Sequence, residues 1–423
     1  MMRRWLPFAI VSAFFFYVNA ATFTSLGVAL PHMIDDLGWS YTEAGAGFSL
    51  LAFMVGLSAM VPAWIIRGGG IKATFLVGAG IMSTGFTFLA TTNSLTQYFV
   101  GTAFAGFGYT LVATVPALHY FNHTIEAARR PIFIGAYFTI GGFGGVFGPL
   151  LVAAAVAATG SWRLHWWIVG GAGLLLAALA VMILDNRPER HSTVSGDKGD
   201  SADVSEGTAD GSGEAQGYQW SFKDSIRTKE FAIIVLAMTL TLFCGTTVNS
   251  WAVTHMRELG VASALAVTAF SAHGLVNALS RGLGGYLGSK IDAKWLLVVA
   301  LVTEVAGMLA LAVADDPFTI GVFVVAEGFG FGLSLVATAL LLIDYFGTES
   351  NPEIFGASHL ITTVAMLGPV LAGWFAENIG GFGPVFMIYG FMVALVLIAT
   401  ILMKAPVPRG AEHEADQPEA APG

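Results

Sequence analysis

Charge and cysteine are what this 423-residue chain has least of. Only 11% of its residues are charged, whereas 55% are hydrophobic and the mean hydropathy is +0.72. A soluble domain carries about 25% charged residues, so water is excluded as the solvent for most of the chain. The single cysteine, Cys244, excludes an internal disulfide and speaks against metal or redox work by thiolates. The sequence holds no GxxxxGK[ST] phosphate loop and no metal-ligand cluster. Transport driven by ATP hydrolysis on this chain is therefore excluded, and neither an enzyme nor a cofactor is expected. Most of the net charge of −9 arises in a polar insert and a tail, so it gives no case for nucleic acid.

What the chain has is apolar runs. A helix needs roughly 20 apolar residues to cross the hydrocarbon core. Twelve runs qualify: 7–30, 44–66, 73–91, 96–118, 132–156, 166–184, 230–253, 262–288, 293–314, 317–342, 355–376 and 382–403. The first run has full span length and lacks a small-residue cleavage site, so it reads as a span rather than a removable leader. The expected organisation is a six-helix unit over 1–184, a linker over 185–229, a second six-helix unit over 230–404 and a tail over 405–423. Residues 195–217 are rich in Gly, Ser, Asp and Glu and should be disordered, as should the tail.

Loop charges orient the chain. With the N-terminus placed inside, sixteen Lys and Arg fall on the inner side, and only Arg163 and Arg257 on the outer. Both termini and the insert are therefore expected in the cytoplasm. The sequon Asn122-His123-Thr124 falls on that same side, where it carries no meaning.

The two units are related in sequence. Gly106-Phe107-Gly108-Tyr109-Thr110-Leu111-Val112-Ala113-Thr114 returns as Gly330-Phe331-Gly332-Leu333-Ser334-Leu335-Val336-Ala337-Thr338, 224 residues later, with seven of nine positions identical. Gly148-Pro149 returns as Gly368-Pro369, 220 residues later. Two related membrane halves are the sequence mark of a transporter whose halves rock about a site between them.

Twelve helices in two homologous sixes with a long central loop resemble the major facilitator superfamily across the whole chain. The resemblance implies an all-α membrane protein of two pseudo-symmetric six-helix bundles. The superfamily's charged loop between spans two and three is degenerate here: Arg67 and Lys72 remain, but Ile66 stands where the acid belongs. Its echo, Gly285-Tyr286-Leu287-Gly288-Ser289-Lys290 with Lys294 following, has Ser289 in place of the acid. These four cations would form the cytoplasmic gating loops. Gly27-Val28-Ala29-Leu30-Pro31 with Leu37-Gly38-Trp39-Ser40, and Asn277, Arg281 and Gly284-Gly285-x-Leu287 in span eight, resemble the bacterial monocarboxylate and oxalate/formate porter branch. In that branch an Arg at this place binds the substrate carboxylate. Animal relatives put Asp where Asn277 stands, and oxalate exchangers add a Lys in span eleven, where only His359 is on offer. These departures speak against the animal coupling scheme and against dicarboxylate exchange.

Apart from Lys294 at the very edge of the ninth run, Arg281 is the only Lys or Arg inside any span. An ionisable residue there costs roughly 2.5–3.5 kcal/mol on insertion scales, a cost usually retained for function. At about 100° per residue Asn277 shares its face, and the planar guanidinium matches a carboxylate. Glu327, near the middle of span ten, shares a face with Ser334 and Thr338. The resemblance places that face on the substrate path, which would make Glu327 the proton-coupling group. Glu304, on an apolar face of span nine, reads as a structural carboxyl, and His273 as a packing residue. Asn19, Tyr109 and Asn249, together with His359, complete the expected substrate contacts, although small polar residues also glue membrane helices together.

The expected function is secondary transport of a small organic anion, a monocarboxylate by preference, with a proton as coupling ion. The setting expected is a monomer in the lipid of a bacterial inner membrane. Two alternatives stand beside it. Gly135, Gly144 and Gly148-Pro149 partly match the antiporter signature of drug exporters, and degenerate gating loops would also suit a membrane protein that no longer transports. Because residues 195–217 cannot form a packed element, deleting them is expected to leave transport in proteoliposomes unchanged. Loss of activity in a correctly inserted deletion variant would show that the insert does more than connect.

Overall fold

The computed structural model describes residues 2–126, 129–185, 220–288, 290–347 and 351–406, and for residues 2–4, 130, 131, 351 and 352 the backbone alone. The expected linker up to residue 219 and most of the tail lie outside these. The described residues form helices and no strand. The first half comprises α1 (Met2–Ala21), α2 (Phe23–Leu37), α3 (Tyr41–Leu57), α4 (Val61–Ala90), α5 (Leu95–Val112), α6 (Thr114–Thr124), α7 (Arg130–Thr159) and α8 (Arg163–Ile183). After a single turn, α9 (Phe222–Ser225), the second half comprises α10 (Lys229–Glu258), α11 (Ser263–Gly288), α12 (Ala293–Ala312), α13 (Pro317–Phe346), α14 (Asn351–Thr362), α15 (Gly368–Ile379) and α16 (Phe382–Leu402).

Among the described residues, ten helical stretches are long and apolar enough to cross a membrane, counting α1–α2, α5–α6 and α14–α15 as one each. The short α3 and the polar α11 supply the other two of the twelve expected spans. Large apolar side chains such as Met182, Phe318 and Leu360 stand on the outside, as lipid-facing residues should. Six crossings per half return the chain to one side, so the start of α1, the end of α16 and the connection between halves share a face, called here the linker face.

Three spans are broken, and the breaks follow from residue chemistry. Pro116 has no N–H for the carbonyl of Val112, and the backbone leaves the helix at Ala113 (φ −90°, ψ −128°). Pro369 likewise has no N–H for the Ala365 carbonyl, which accepts from the Gly368 N–H instead. The chain there tightens into a 3₁₀ stretch, Thr363–Leu367, and Thr246 Oγ1 of α10 donates to that carbonyl at 3.2 Å. At the α1–α2 break, three hydroxyls take up freed carbonyls: Thr22 to Val18, Thr24 to Asn19 and Ser25 to Ala20. In lipid such substitution is required, because no water is there to accept the load. The expected run 44–66 is also corrected. Its helix ends at Leu57, and residues from Val61, with Pro62 in the first turn, begin α4, which kinks at Gly70 (φ 79°).

The repeated glycines let span four, and its counterpart α13, approach their neighbours closely. A Cβ on Gly106 would lie 2.2 Å from the Leu51 carbonyl of α3, and one on Gly108 would lie 2.7 Å from the Gly78 carbonyl of α4. In the second copy Gly330 meets α12 and Gly332 meets α11, with the order exchanged. Gly148 and Gly368 also correspond, seating α7 on the carbonyl of Ala20 and α15 on that of Phe243. The tail of the expected linker is ordered: Trp220 packs on Phe346, and Ser221 and Thr228 cap α9 and α10.

The halves meet along α7 with α11, α3 with α15, and α2 with α10. Hydrogen bonds joining them gather at the face opposite the linker. Arg257 Nη2 donates to Asp35 at 3.2 Å, Thr42 donates twice to Glu377 at 3.0 and 2.5 Å, and the Tyr41 hydroxyl donates to Glu258. Behind them, Tyr41, Trp251 and Phe382 stack into an aromatic plug, with Trp251 Nε1 fixed to the Pro369 carbonyl at 2.8 Å. The protein is thus closed at the far face. A Cβ on Gly27 would lie 1.8 Å from the Asn249 carbonyl across the α2–α10 contact. Gly27→Ala is expected to cost the closed state about 1–3 kcal/mol by overpacking. A cysteine placed at buried Ser49 should then react about 5- to 150-fold faster with an impermeant thiol reagent added at the far face; unchanged labelling would refute the close contact.

Candidate functional site

α11 runs from the far face to the linker face and carries the polar residues of the second half. Its Arg281 lies seven residues before the helix end, roughly 10 Å of helix. The guanidinium Nε donates to Asn277 Oδ1, one turn earlier, at 3.0 Å. The guanidinium carbon stands 5.9 Å from the Phe331 ring of α13. Arg281 is exposed, and no carboxylate forms an ion pair with it among the described residues. Tyr109 of α5, in the other half, lies within electrostatic reach of this cation and packs edge-on to Phe23. With Nε held by Asn277, the two terminal amino groups remain as a fork for an incoming planar anion.

The other expected contacts are placed differently. Asn19 and Asn249 turn back on their own helices, each donating to the carbonyl four residues earlier at 2.8 Å. His359 of α14 is exposed, with its ring beside Phe355, and its carbonyl accepts from Thr362 and Thr363. Ser334 and Thr338 also bond within α13 and are buried rather than lining an open path. Lys294 donates to the carbonyls of Ile401 and Met403 at 3.0 and 2.6 Å, which ties α12 to the end of α16 inside one half. Lys290 lies over its own Tyr286, and Arg67 is exposed in the first turns of α4. Lys72 makes a contact of its own, and Ser289 falls outside the described residues.

Glu327 is fully buried, with one carboxylate oxygen in contact with His273 Nε2 of α11. The imidazole is itself buried between the parallel rings of Phe270 and Phe323, at 5.9 and 5.3 Å. Glu304 of α12 is buried nearby and accepts from Thr241 Oγ1 at 2.9 Å. The second oxygen of each carboxyl has no partner. His273 reads from sequence as a packing residue, yet a signal was present. It lies ten residues into α11, and Glu327 lies ten residues into α13, both counted from the far face. Helices of the same direction thus bring the base and the acid to one depth, roughly 15 Å in. Among the described residues no group of three metal-binding side chains occurs.

Comparison with known proteins bears on the whole chain. The model of the Major Facilitator Superfamily matches residues 10–251 and again 233–422. The MFS-type transporter calB of Penicillium decumbens is 28% identical over 166 residues, which cover 37% of this chain and only 28% of that protein. Among solved structures, a bacterial homologue of the human lysosomal transporter Spinster, inward-facing and unoccupied, superposes with a TM-score of 0.68 at 18% identity, covering 95% and 94% of the two chains. The nucleoside transporter NupG superposes with a TM-score of 0.67 at 14% identity, covering 95% and 99%. At these identities the structures share the fold alone. The duplicated family match and the two six-helix bundles agree: this chain belongs to the Major Facilitator Superfamily.

Proposed function

We propose that the protein is a secondary transporter of a small organic anion, a monocarboxylate by preference, working by alternating access with a proton as coupling ion. One observation carries this reading: an exposed arginine in a membrane span, with no acidic partner among the described residues and held by Asn277 so that its fork stays free. Lipid would make such a side chain costly, and an anion that completes its hydrogen bonds removes part of that cost. Tyr109 reaches toward the same cation from the other half. A ligand bound between them would touch both moving bodies, as the mechanism requires. The excess of basic residues on the linker face makes that face cytoplasmic by the positive-inside rule, in the inner membrane of a bacterial cell. The structure is then inward-facing.

The exporter alternative rests on Gly135, Gly144 and Gly148-Pro149. Gly144 and Gly148 seat α7 against the Phe16 and Ala20 carbonyls of α1, while a Cβ on Gly135 would meet nothing. Close helix contact accounts for the two that touch.

A thermal-shift screen of purified protein against small carboxylates would identify the ligand, since binding to the native state raises apparent stability. For the ligand found, Arg281→Gln is expected to weaken apparent affinity about 10- to 150-fold, the equivalent of charge-assisted bonds worth about 1.5–3 kcal/mol. Arg281→Lys should also be poor, because a point charge cannot reproduce the bidentate fork. Wild-type transport and affinity in Arg281→Gln would refute the assignment, and selective loss of cationic drug efflux would favour the exporter.

A further inference from the structure

The buried acids of the second half pose a charge problem that the anion site leaves unsolved. Glu327 and Glu304 are both at zero exposure on adjacent helices and interact electrostatically. The titratable groups facing them are few. From α11 comes His273, from α10 Cys244 and the Thr241 hydroxyl, and from α16 Tyr389, which reaches Cys244. α7 meets α11 through Gly142 and Gly145 and adds no charge. The cation of Arg281 stands two turns further along α11, bonded to Asn277. With both carboxyls ionised and the imidazole neutral, the cluster would hold two uncompensated negative charges in a low-dielectric interior, which costs several kcal/mol per ion. It becomes neutral with two protons: one on Glu304, which is buried with no cation beside it, and one shared between His273 Nε2 and Glu327.

We propose that the His273–Glu327 pair is the site that holds the coupling proton, inside the second half and walled off from the anion, and that α11 carries its occupancy to Arg281. The proposal rests on the proton-coupled reading above and deepens it by moving the proton off the substrate path. Three further observations support it. Phe270 and Phe323, each a turn nearer the far face, sandwich the imidazole and seal the pair from that side while the far face is closed. Below the pair the α11–α13 seam is continuous toward the anion fork. Ser280 Oγ donates to the Asn277 carbonyl at 2.9 Å and reaches the carbonyl of Gly328, the residue after Glu327, at 3.4 Å. Gly332 then packs on the Asn277 carbonyl, and Arg281 lies beside Phe331. When the proton leaves the pair, a neutral imidazole faces a bare carboxylate, and the seam that positions Asn277 carries an extra negative charge two turns from Arg281. That charge opposes a second anion there. With the proton bound the opposition is gone, so proton and anion binding favour each other, which is the coupling a symporter needs.

Two measurements test this on the full-length protein in lipid. The first uses no substrate: infrared absorption of protonated carboxyl groups is followed as pH is raised from about 5 to about 9, an interval that brackets ordinary histidine chemistry. Wild type should lose the absorption of one carboxyl or show loss of the shared proton, and this step should vanish in both His273→Gln and Glu327→Gln. Glu304→Gln should remove a pH-independent carboxyl band and leave the step in place. The second uses radiolabelled lactate as probe in proteoliposomes. In His273→Gln and Glu327→Gln, accumulation under a pH gradient should fall to the level of simple equilibration, while lactate counterflow stays within about twofold of wild type. A wild-type spectrum without a pH step, a step that survives in both variants, or His273→Gln that still concentrates lactate would each overturn the proposal. If wild type ignores lactate, the choice of anion fails, and the infrared measurement still decides the proton site.

Discussion

The bilayer core contains no water to accept a hydrogen bond, and this constraint shapes nearly every polar choice in the structure. Thr22, Thr24 and Ser25 take the carbonyls freed at the first break, Thr246 adds a bond to the Ala365 carbonyl that Pro369 cannot reach, and Trp251 closes on the carbonyl of Pro369 itself. Lys294 spends its charge on the last carbonyls of α16. Most of the hydroxyls that look available in the sequence are consumed in this way. Among the polar groups left over after such accounting, two sets are informative here: the fork of Arg281, and the second oxygens of Glu304 and Glu327. One is open and cationic, the other closed and acidic.

Both places lie on or against α11. That helix also forms, with α7, one of the contacts about which the halves meet, where Gly274 brings its backbone within reach of the Gly145 carbonyl. A change in the α11–α13 seam is thus felt at the interface between halves without any long relay. The first half contributes Tyr109 at that level. The near-identical repeat is asymmetric at this point, since Tyr109 corresponds to Leu333 in the second copy. The halves share a scaffold and divide the chemistry.

The scaffold was largely legible because glycine and proline state their demands locally. Gly106, Gly108, Gly330 and Gly332 announce close helix contact wherever they occur in apolar runs, and Pro116 and Pro369 announce a lost hydrogen bond. Arg281 was legible for the same reason: a lone cation in lipid needs no neighbour to be noticed. What could not be read span by span was pairing. A helical wheel shows that Glu327 shares a face with Ser334 and Thr338, but not that the carboxyl turns toward α11 while the hydroxyls bond to their own helix. His273 looked inert because its partner is 54 residues away on another span. The break after Leu57 escaped notice because the apolar run continues through it, and only the φ and ψ of a few residues record the turn.

The seal at the far face has a property of its own. Its polar ties are side chains standing partly in solvent: Arg257 with Asp35, Thr42 with Glu377, Tyr41 with Glu258. Only Arg257–Asp35 is an ion pair; an exposed pair of this kind is worth about 0–1 kcal/mol, and salt screens it over about 8 Å at physiological ionic strength. The aromatic plug behind them is indifferent to salt. The ionic strength of the medium at the far face therefore acts on that ion pair and not on the plug, so salt alone changes how firmly this face is closed without touching Arg281.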